Sequence, residues 1–419
     1  MKNRNTTLAL LMASAMTLPA SFAAAQDDAD KPEIYRLMPD TALSGLVDPY
    51  MPDRTNIEKA WPKEPADPND IKVGWTEITM GNPFFVELIK GAERAAADTN
   101  LSLDVQVADG DLQRQCAHID TFITQGKDVI VVDPTDTLGV ASCINRAVDA
   151  GIPVVAIGTV PSDRARVLTT ITPNPYENGF GAGEYIAQDA GTDPIVGALI
   201  IGVVGNSTSE SRLNGMVSGI VWQRVQDLGL DMTREDAMLR GYELFQQAKQ
   251  SGTFNDEELG FQVVTMTEGN WTEEGGLAAA EDILTAHGSR LTHIIADNDW
   301  MGIGSLRALR NTGTEGVKVA TSADGARLAL EEIKKGNLLV TGTFSGEQMG
   351  VSTVAFLDQI FNEGLEAQNL PLGSYFPAYA ITPENVDDFI DPNPENQFYK
   401  YEVSPVLNIE EIRAQAAAE

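Results

Sequence analysis

The chain has 419 residues, with 61 acidic and 29 basic side chains and a formal net charge of -32 at pH 7. Such a charge repels nucleic-acid phosphates and anionic lipid headgroups, so we expect no nucleic-acid partner and no membrane-surface function. The length is sufficient for two domains with separate hydrophobic cores.

Residues 1–25 have the pattern of an export signal. Lys2 and Arg4 precede an apolar run at 8–22, and three alanines follow at 23–25. The run is shorter than the roughly 20 apolar residues that a membrane-spanning helix needs. The sequence therefore predicts a signal peptide over 1–25 that is cleaved on export, and a mature protein located in the periplasm.

Residues 26–70 are rich in proline and have little apolar periodicity. Prolines occur at positions 32, 39, 49, 52, 62, 65 and 68. Because proline lacks a backbone donor and interrupts helices, the segment is predicted to be an extended N-terminal arm or linker.

From residue 71 onward, apolar strands alternate with amphipathic helices. Strands are predicted at 71–76, 102–108, 128–132, 152–157 and 167–171. Helices between the first four strands are predicted at 84–98, 112–125 and 137–150. This alternation is typical of a parallel sheet covered by helices on both faces, which places the chain in the α/β class.

A second series of the same kind follows. Its strands are predicted at 195–204, 261–266, 292–296, 317–321 and 339–343. Its helices are predicted at 176–189, 211–228, 273–286, 299–311 and 326–335. Two such series indicate two lobes, and the charged stretch 230–260 is interpreted as an insertion in the second lobe rather than part of its core. A helix at 347–361 and a strand at 376–381 come after both series, so we expect the chain to return and complete the lobes.

The two cysteines, Cys116 and Cys143, each fall in the first turns of a predicted helix. Successive crossover helices on one face of a parallel sheet can lie side by side, and an exported protein folds in an oxidising compartment. These features favour a disulfide between them, with two buried free thiols as the alternative. The cysteines and the three dispersed histidines lack metal-ligand spacing, so no metal and no cofactor are expected.

The segment Asn82-Pro83-Phe84-Phe85 falls where the first strand ends and the first helix begins. Ligands of open parallel sheets bind beyond the carboxyl ends of the strands, and the C–H faces of sugar rings pack on aromatic side chains. Phe84 and Phe85 are therefore candidates for contact with a sugar. Pro83 also suits the first position of a helix, and the two phenylalanines could belong to the core, so both interpretations stay open.

Residues 72–96, KVGWTEITMGNPFFVELIKGAERAA, resemble the opening of ribose- and galactose-type periplasmic binding proteins, and the likeness continues through most of 71–361. Further similar segments follow in the family's order at 130–136, 150–155, 211–215, 296–299, 324–325 and 335–338. The resemblance implies a type I periplasmic binding protein, with two Rossmann-like lobes of parallel sheet joined by a three-segment hinge. The N-terminal lobe would comprise 71–171 plus about 345–375, and the C-terminal lobe 172–344 plus about 376–419.

The resemblance also implies ligand contacts from both lobes. In the first lobe, Asn82 matches a hydrogen-bonding position, and Phe84 and Phe85 match aromatic positions near the sugar ring. In the second lobe, Arg212 matches an arginine that donates to sugar hydroxyls, a task suited to a planar guanidinium. Trp271 matches an aromatic on the opposite side of the ring. The alternatives are a helix-surface arginine and a tryptophan that covers the core.

Asn298 and Asp324 correspond to polar positions at the ends of second-lobe strands, where their oxygens would accept hydrogen bonds from vicinal hydroxyls. Each could instead cap the helix that follows it. Ligand binding and helix capping are both consistent with these positions.

The chain departs from the ribose-type pattern in two places. Gly158-Thr159 stands where ribose-type proteins have an acidic and a basic residue, and Phe344 stands where they have a hinge glutamine. These differences indicate a ligand with fewer or differently placed hydroxyls than ribose, or one with an apolar part.

By this resemblance, the protein is expected to capture a sugar or polyol and to deliver it, as a monomer, to the membrane permease of an ABC importer. A periplasmic sensor that presents the ligand to a chemoreceptor or histidine kinase would use the same pocket, so that role stays open. An enzyme is disfavoured because GxSxG, P-loop and HExxH motifs are absent from the sequence. A lactose-repressor-type regulator would need a helix-turn-helix before the first strand, where this chain has an export signal and an acidic arm.

Overall fold

The computed structural model describes residues 57–403, except 163 and 372. The predicted signal peptide, the arm up to residue 56 and the chain end at 404–419 lie outside the described residues. None of the helices within the described part of the chain is long and apolar enough to cross a membrane.

Among the described residues, the first sheet has six strands, and their pairs are parallel. They are β1 (Ile71–Glu77), β2 (Leu101–Val107), β3 (Val129–Val132), β4 (Val154–Ile157), β5 (Thr170–Pro173) and β12 (Gly373–Phe376). Their order across the sheet is β12-β5-β4-β3-β1-β2. β3 and β4 are buried along their whole length, as expected for central strands covered on both faces.

Helices cover this first sheet. They are α1 (Pro83–Ala96), α2 (Leu112–Gln125), α3 (Ala141–Asp149) and α10 (Gly346–Phe361), numbered in chain order. Local sequence explains the ends of α2, because the Asp111 carboxylate accepts the backbone N–H of Gln113 and Arg114, and Gly126 adopts a left-handed conformation with φ 65°. Cys116 of α2 and Cys143 of α3 form a disulfide, with Cα atoms 5.3 Å apart.

The second sheet has five strands in the order β10-β9-β6-β8-β7. They are β6 (Ile195–Ile201), β7 (Phe254–Asp256), β8 (Phe261–Glu268), β9 (His293–Ala296) and β10 (Lys318–Ala320). The accompanying helices are α4 (Pro175–Ala190), α5 (Ser207–Leu228), α6 (Arg234–Ser251), α7 (Glu273–His287), α8 (Asp299–Thr312), α9 (Arg327–Lys334) and α11 (Val386–Phe389). Only the pairing of β7 with β8 is antiparallel in this sheet, within the described residues.

The interpretation of 230–260 as an insertion outside the core is wrong. These residues form α6 and β7, and Leu244, Phe245 and Phe254 are buried in the core of the second lobe. The rings of Phe254 and Phe261 pack edge to face at 4.9 Å between centroids. Charged residues on the exposed face of α6 interrupt its apolar spacing, so composition alone does not reveal the helix.

The chain passes between the two lobes in three places. The first lies between β5 and α4, the second between β11 (Thr341–Gly342) and α10, and the third between β12 and β13 (Ala380–Ile381). β11 and β13 pair antiparallel, which ties the second and third crossings together. The predicted strand at 376–381 is therefore two strands with different partners.

The last residues of the predicted arm pack on the first lobe. A short 3₁₀ turn, Glu58–Ala60, lies beside α3. Ile57 and Ala60 are buried within the first-lobe core, and Trp61 packs against it. This end of the arm is thus part of the folded lobe.

Candidate functional site

A cavity lies between the lobes, at the carboxyl edges of both sheets. Most of its lining residues come from segments that follow strands. They are Ile78, Asn82, Phe84, Phe85, Asp133, Gly158, Thr159, Thr208, Arg212, Trp271, Asn298, Asp324 and Phe344. The space between them is about 360 Å³, including the part open to solvent.

Asn82 both caps a helix and connects the lobes. Its Oδ1 accepts the backbone N–H of Phe84 at 2.8 Å, which fixes the start of α1. Its Nδ2 donates to the backbone carbonyl of Trp271 in the second lobe at 2.7 Å. The residue therefore orients the aromatic pair behind it and contacts the opposite wall of the cavity.

Phe84 and Phe85 belong to both the core and the cavity wall. Both are buried, and their rings pack edge to face with centroids 5.2 Å apart. The ring of Phe84 lies 5.7 Å from that of Phe344, which belongs to the second crossing between the lobes. Both rings thus pack in the core and line the cavity, and their contact with a sugar stays a prediction.

Trp271 is held in an unusual backbone conformation. Its φ is 56° and that of Asn270 is 54°, in the left-handed region that non-glycine residues rarely adopt. The indole lies so close to Gly202 that a Cβ there would overlap it. Asn298 donates to the Trp271 carbonyl at 3.3 Å, alongside Asn82. A strained backbone fixed from both sides is a common feature of functional sites.

Arg212 is buried in the cavity rather than exposed on a helix surface. Only 3% of the residue is accessible, and its guanidinium lies 4.0 Å from the centroid of the Phe344 ring. One of its terminal nitrogens lies 3.7 Å from Oδ1 of Asp324. No described residue forms a hydrogen bond with its Nε. The side chain thus has a fixed plane and a free donor.

The position of Arg212 depends on glycines. α5 crosses α4 so closely that a Cβ at Gly179 or Gly183 of α4 would overlap the backbone of α5, and a Cβ at Gly215 of α5 would overlap that of α4. The close crossing places the first turns of α5 at the edge of the cavity.

Asp324 is a buried carboxyl group on the second-lobe wall. Its Oδ2 has no hydrogen-bond partner among the described residues. Burial raises its pKa to about 8, although Arg212 opposes this shift. Asp324 does not cap α9, which begins after Ala326 without a side-chain cap. Asn298, in contrast, caps α8 by accepting the N–H of Met301 at 3.1 Å.

All seven residues assigned from the sequence line this one cavity: Asn82, Phe84, Phe85, Arg212, Trp271, Asn298 and Asp324. The sequence did not assign Ile78, Asp133 or Thr208 to the site, and it noted Gly158, Thr159 and Phe344 only as departures from the ribose-type pattern. The signal for Asp133 was available, because an aspartate directly after the apolar strand Val129–Val132 must lie at the carboxyl edge of the sheet.

The lobes contact each other directly beside the cavity, through the first turn of α5. Nδ2 of Asn206 donates to Oγ1 of Thr159 at 3.1 Å. Oγ of Ser207 donates to the carbonyl of Val160 at 2.7 Å, and Oγ1 of Thr208 to that of Gly158 at 2.9 Å. The structure is therefore a closed arrangement of the two lobes.

Comparison with known proteins identifies the family. The sequence model of the family described as periplasmic binding protein domain matches residues 73–365. The chain belongs to the periplasmic binding protein family. The resemblance seen in the sequence and the predicted α/β fold with two parallel-sheet lobes are thereby confirmed. Proteins of this family are solute-binding components of transporters and not enzymes.

A curated relative and two solved structures match most of this periplasmic binding protein. The ribose import binding protein of Bacillus subtilis is 26% identical over 303 residues, or 72% of this chain and 86% of the relative. The structure of a galactofuranose binding protein has a TM-score of 0.63 at 16% identity, and covers 76% of this chain and 96% of its own. An ABC transporter solute binding protein from Bacillus halodurans with bound myo-inositol has a TM-score of 0.61 at 22% identity, over 77% of this chain and 98% of its own.

Proposed function

We propose that this protein is the extracytoplasmic solute-binding component of an ABC importer and encloses one sugar or polyol molecule between its lobes. The observation that carries the proposal is the cavity between the lobes, in which aromatic rings lie beside polar side chains with free hydrogen-bonding atoms. Those atoms are Nε of Arg212 and Oδ2 of Asp324.

The chemistry of the wall favours a neutral ligand with several hydroxyl groups. A buried donor or acceptor without a partner costs about 1–3 kcal/mol, and a hydroxyl can satisfy either kind. Arg212 also acts on the buried carboxyl group of Asp297, whose pKa of about 6 leaves it mainly ionised at pH 7 and able to offset the guanidinium charge, so the ligand needs no charge of its own. The rings of Phe84, Phe85 and Trp271 offer apolar faces for the C–H groups of the same molecule.

The size of the cavity supports a small ligand. The space between the lining residues is about 360 Å³ including the part open to solvent, which leaves no room for an oligosaccharide, so a monosaccharide or polyol suits it better. The similarity to a ribose import binding protein and to a protein with bound myo-inositol supports the same class. Phe344 and Gly158, which replace polar family residues, favour a ligand other than ribose.

Binding between two lobes gives the ligand-bound protein a distinct closed conformation. A ligand that contacts Asn82 in one lobe and Arg212 in the other makes all its interactions only in the closed state, so binding favours closure. The closed monomer in the periplasm would then be the form that the membrane permease accepts. Export depends on the predicted signal peptide at 1–25.

A thermal-shift screen of the mature protein tests this function. The panel contains D-ribose, D-allose, D-galactose, xylitol and myo-inositol, with L-amino acids as the comparison set. A ligand at 100 times its dissociation constant stabilises the folded state by about 2.7 kcal/mol, which raises the melting temperature measurably. We expect a sugar or polyol to give this shift and to bind one to one by calorimetry. Stabilisation by an amino acid alone would contradict the proposal.

A further inference from the structure

Two carboxyl groups face each other on the first-lobe side of the cavity. Glu77 is the last residue of β1, and Asp133 directly follows β3. The two strands are neighbours, with Thr76 opposite Val132 in the register, so Glu77 and Asp133 occupy the next pair of positions. Both residues are almost completely buried, and Asp133 is the one that lines the cavity.

Protein donors fix the orientation of both carboxyl groups. Oε1 of Glu77 accepts the N–H of Ile78 at 2.8 Å, and its Oε2 accepts Nε1 of Trp75 at 3.2 Å. Oδ1 of Asp133 accepts the N–H of Thr159 at 3.2 Å. A rigid, oriented acceptor of this kind loses little entropy when it binds a ligand.

The pair holds a proton near neutral pH. Burial raises the pKa of Asp133 to about 7. Burial also raises the pKa of Glu77 well above its usual value, and the charge of Asp133 adds to this. Two carboxyl groups that share protons can accept a hydrogen bond from a hydroxyl and donate one to it.

Gly158 makes space for the Asp133 carboxyl group. A Cβ at this position would lie 2.9 Å from Oδ2 of Asp133, closer than real Cβ contacts. Gly158 also has φ 62°, which disfavours any other residue. Because Gly158 has no side chain, the Asp133 carboxyl group forms this part of the cavity wall.

We propose that Asp133 is a further ligand-contact residue, which binds a hydroxyl of the sugar or polyol from the first lobe, and that Glu77 positions its carboxyl group. The inference rests on the proposed function and makes it more specific. The ligand then carries hydroxyls at two separate faces, one toward Asp133 and one toward Arg212 and Asp324. Its remaining faces contact the aromatic rings.

Asp133→Asn is the first test. It keeps the shape of the side chain and the acceptor for Thr159, but replaces the second oxygen by an N–H donor. Calorimetry of the mature protein with D-ribose, D-allose, xylitol and myo-inositol should show an affinity loss of about 10- to 100-fold for each ligand that binds the wild type. Asp128→Asn is the matched control. Asp128 lies at the other end of β3, accepts the N–H of Lys72 at 2.8 Å, and should bind like the wild type.

Two substitutions of Glu77 test its positioning role. Glu77→Gln can still donate to Asp133, although it gives up one of the two acceptors used by Ile78 and Trp75, and should keep the affinity within about threefold. Glu77→Leu removes the partner of Asp133 altogether and should lose about tenfold. Equal affinities of these two variants would contradict the role of Glu77. A complementary experiment uses monodeoxy analogues of the bound ligand. The analogue that lacks the contacted hydroxyl should bind the wild type and Asp133→Asn with equal affinity.

The outcomes separate this inference from the proposed function. If Asp133→Asn binds every ligand like the wild type while Arg212→Ala loses affinity, the role of Asp133 is wrong and the sugar site stands. If no sugar or polyol binds the wild type, both are wrong. Circular dichroism checks folding, and if Asp133→Asn is unfolded, Gly158→Ala replaces it. Its Cβ should displace the carboxyl group and cause the same loss, and unchanged affinity would overturn the proposal.

Discussion

Arg212 shows how a charged side chain is made rigid inside a binding site. Stacking on Phe344 fixes the plane of the guanidinium, and Asp324 lies on one edge of it. Burial excludes water from the remaining donors of the guanidinium. A ligand hydroxyl placed there therefore gives these donors a hydrogen-bond partner without displacing a water molecule. Phe344 is apolar, but its effect is on hydrogen bonding, because it orients the Arg212 guanidinium rather than the ligand.

Truncation of this arginine gives the first residue-scale prediction. Arg212→Ala should weaken binding of the ligand found in the thermal-shift screen by about 2–4 kcal/mol, because ligand hydroxyls and Asp324 lose their partner. Calorimetry measures the loss. Arg307→Ala, which removes an exposed arginine of α8 paired with Glu273, serves as the control and should bind normally. A wild-type affinity for Arg212→Ala would place the pocket elsewhere.

Trp271 gives a second prediction, in which affinity and stability change differently. Trp271→Ala should lose about 1–3 kcal/mol of binding free energy with the ring contact, and Trp271→Gly should lose the same amount. A left-handed conformation costs a non-glycine residue about 1–2 kcal/mol, so the glycine variant should have the higher melting temperature. Equal melting temperatures of the two variants would argue against strain at this position.

Asp324 predicts a specific pH dependence of stability. Its folded-state pKa of about 8 lies above the value of about 3.9 for an unfolded chain, so the folded protein holds a proton that the unfolded chain releases. The stabilisation from this group is present below about pH 4 and is lost as the pH rises to about 8. Urea unfolding without ligand should show the wild type losing stability relative to Asp324→Asn across this window. A constant difference between the two proteins would refute the shift.

At the scale of elements, the disulfide joins two helices on the same face of the first sheet. Cys116 and Cys143 are separated by 27 positions, and α2 and α3 lie side by side. Closing a loop of this length reduces the entropy of the unfolded chain by an amount equivalent to about 3–4 kcal/mol.

This bond gives the element-scale prediction. The denatured, unreduced protein from the periplasm should contain no titratable thiol, and the Cys116→Ser/Cys143→Ser variant should lose about 3–4 kcal/mol of unfolding free energy. Thiol titration and urea unfolding measure the two effects. Two reactive thiols in the unreduced protein would show that the cysteines are free in the cell.

At the scale of the whole molecule, closure is a balance between direct contacts and ligand contacts. Asn206, Ser207 and Thr208 of the second lobe donate hydrogen bonds directly to the first lobe. In an open state the same groups would form hydrogen bonds with water instead. Each direct bond therefore contributes typically only about 1 kcal/mol to closure, and the ligand must supply most of the preference for the closed state.

Small-angle scattering tests this balance. The radius of gyration of the mature protein should decrease when saturating ligand is added, and Arg212→Ala should need a higher ligand concentration for the same decrease. Arg307→Ala should follow the wild type. A radius that stays constant with ligand would mean that the lobes are closed throughout, and that affinity does not depend on closure.

The sequence by itself determined the types and order of the elements and several of their ends. Short β-branched runs such as Val129–Val132 favour buried strands, and Asn82 with Pro83 specifies a helix start through local bonds. The placement of site candidates after strands also followed from the sequence, because the carboxyl ends of parallel strands meet at one edge.

Only the tertiary structure decided which side chains meet. The contact of Arg212 with Phe344, the pairing of Glu77 with Asp133 and the left-handed backbone of Trp271 each depend on residues far apart in the chain or on packing from the opposite lobe. For the same reason, the sequence did not predict that α6 and β7 belong to the core, because their apolar residues are buried only by packing against the second sheet. Local pattern specifies what a segment can form, whereas burial and charge depend on the neighbours that folding brings to it.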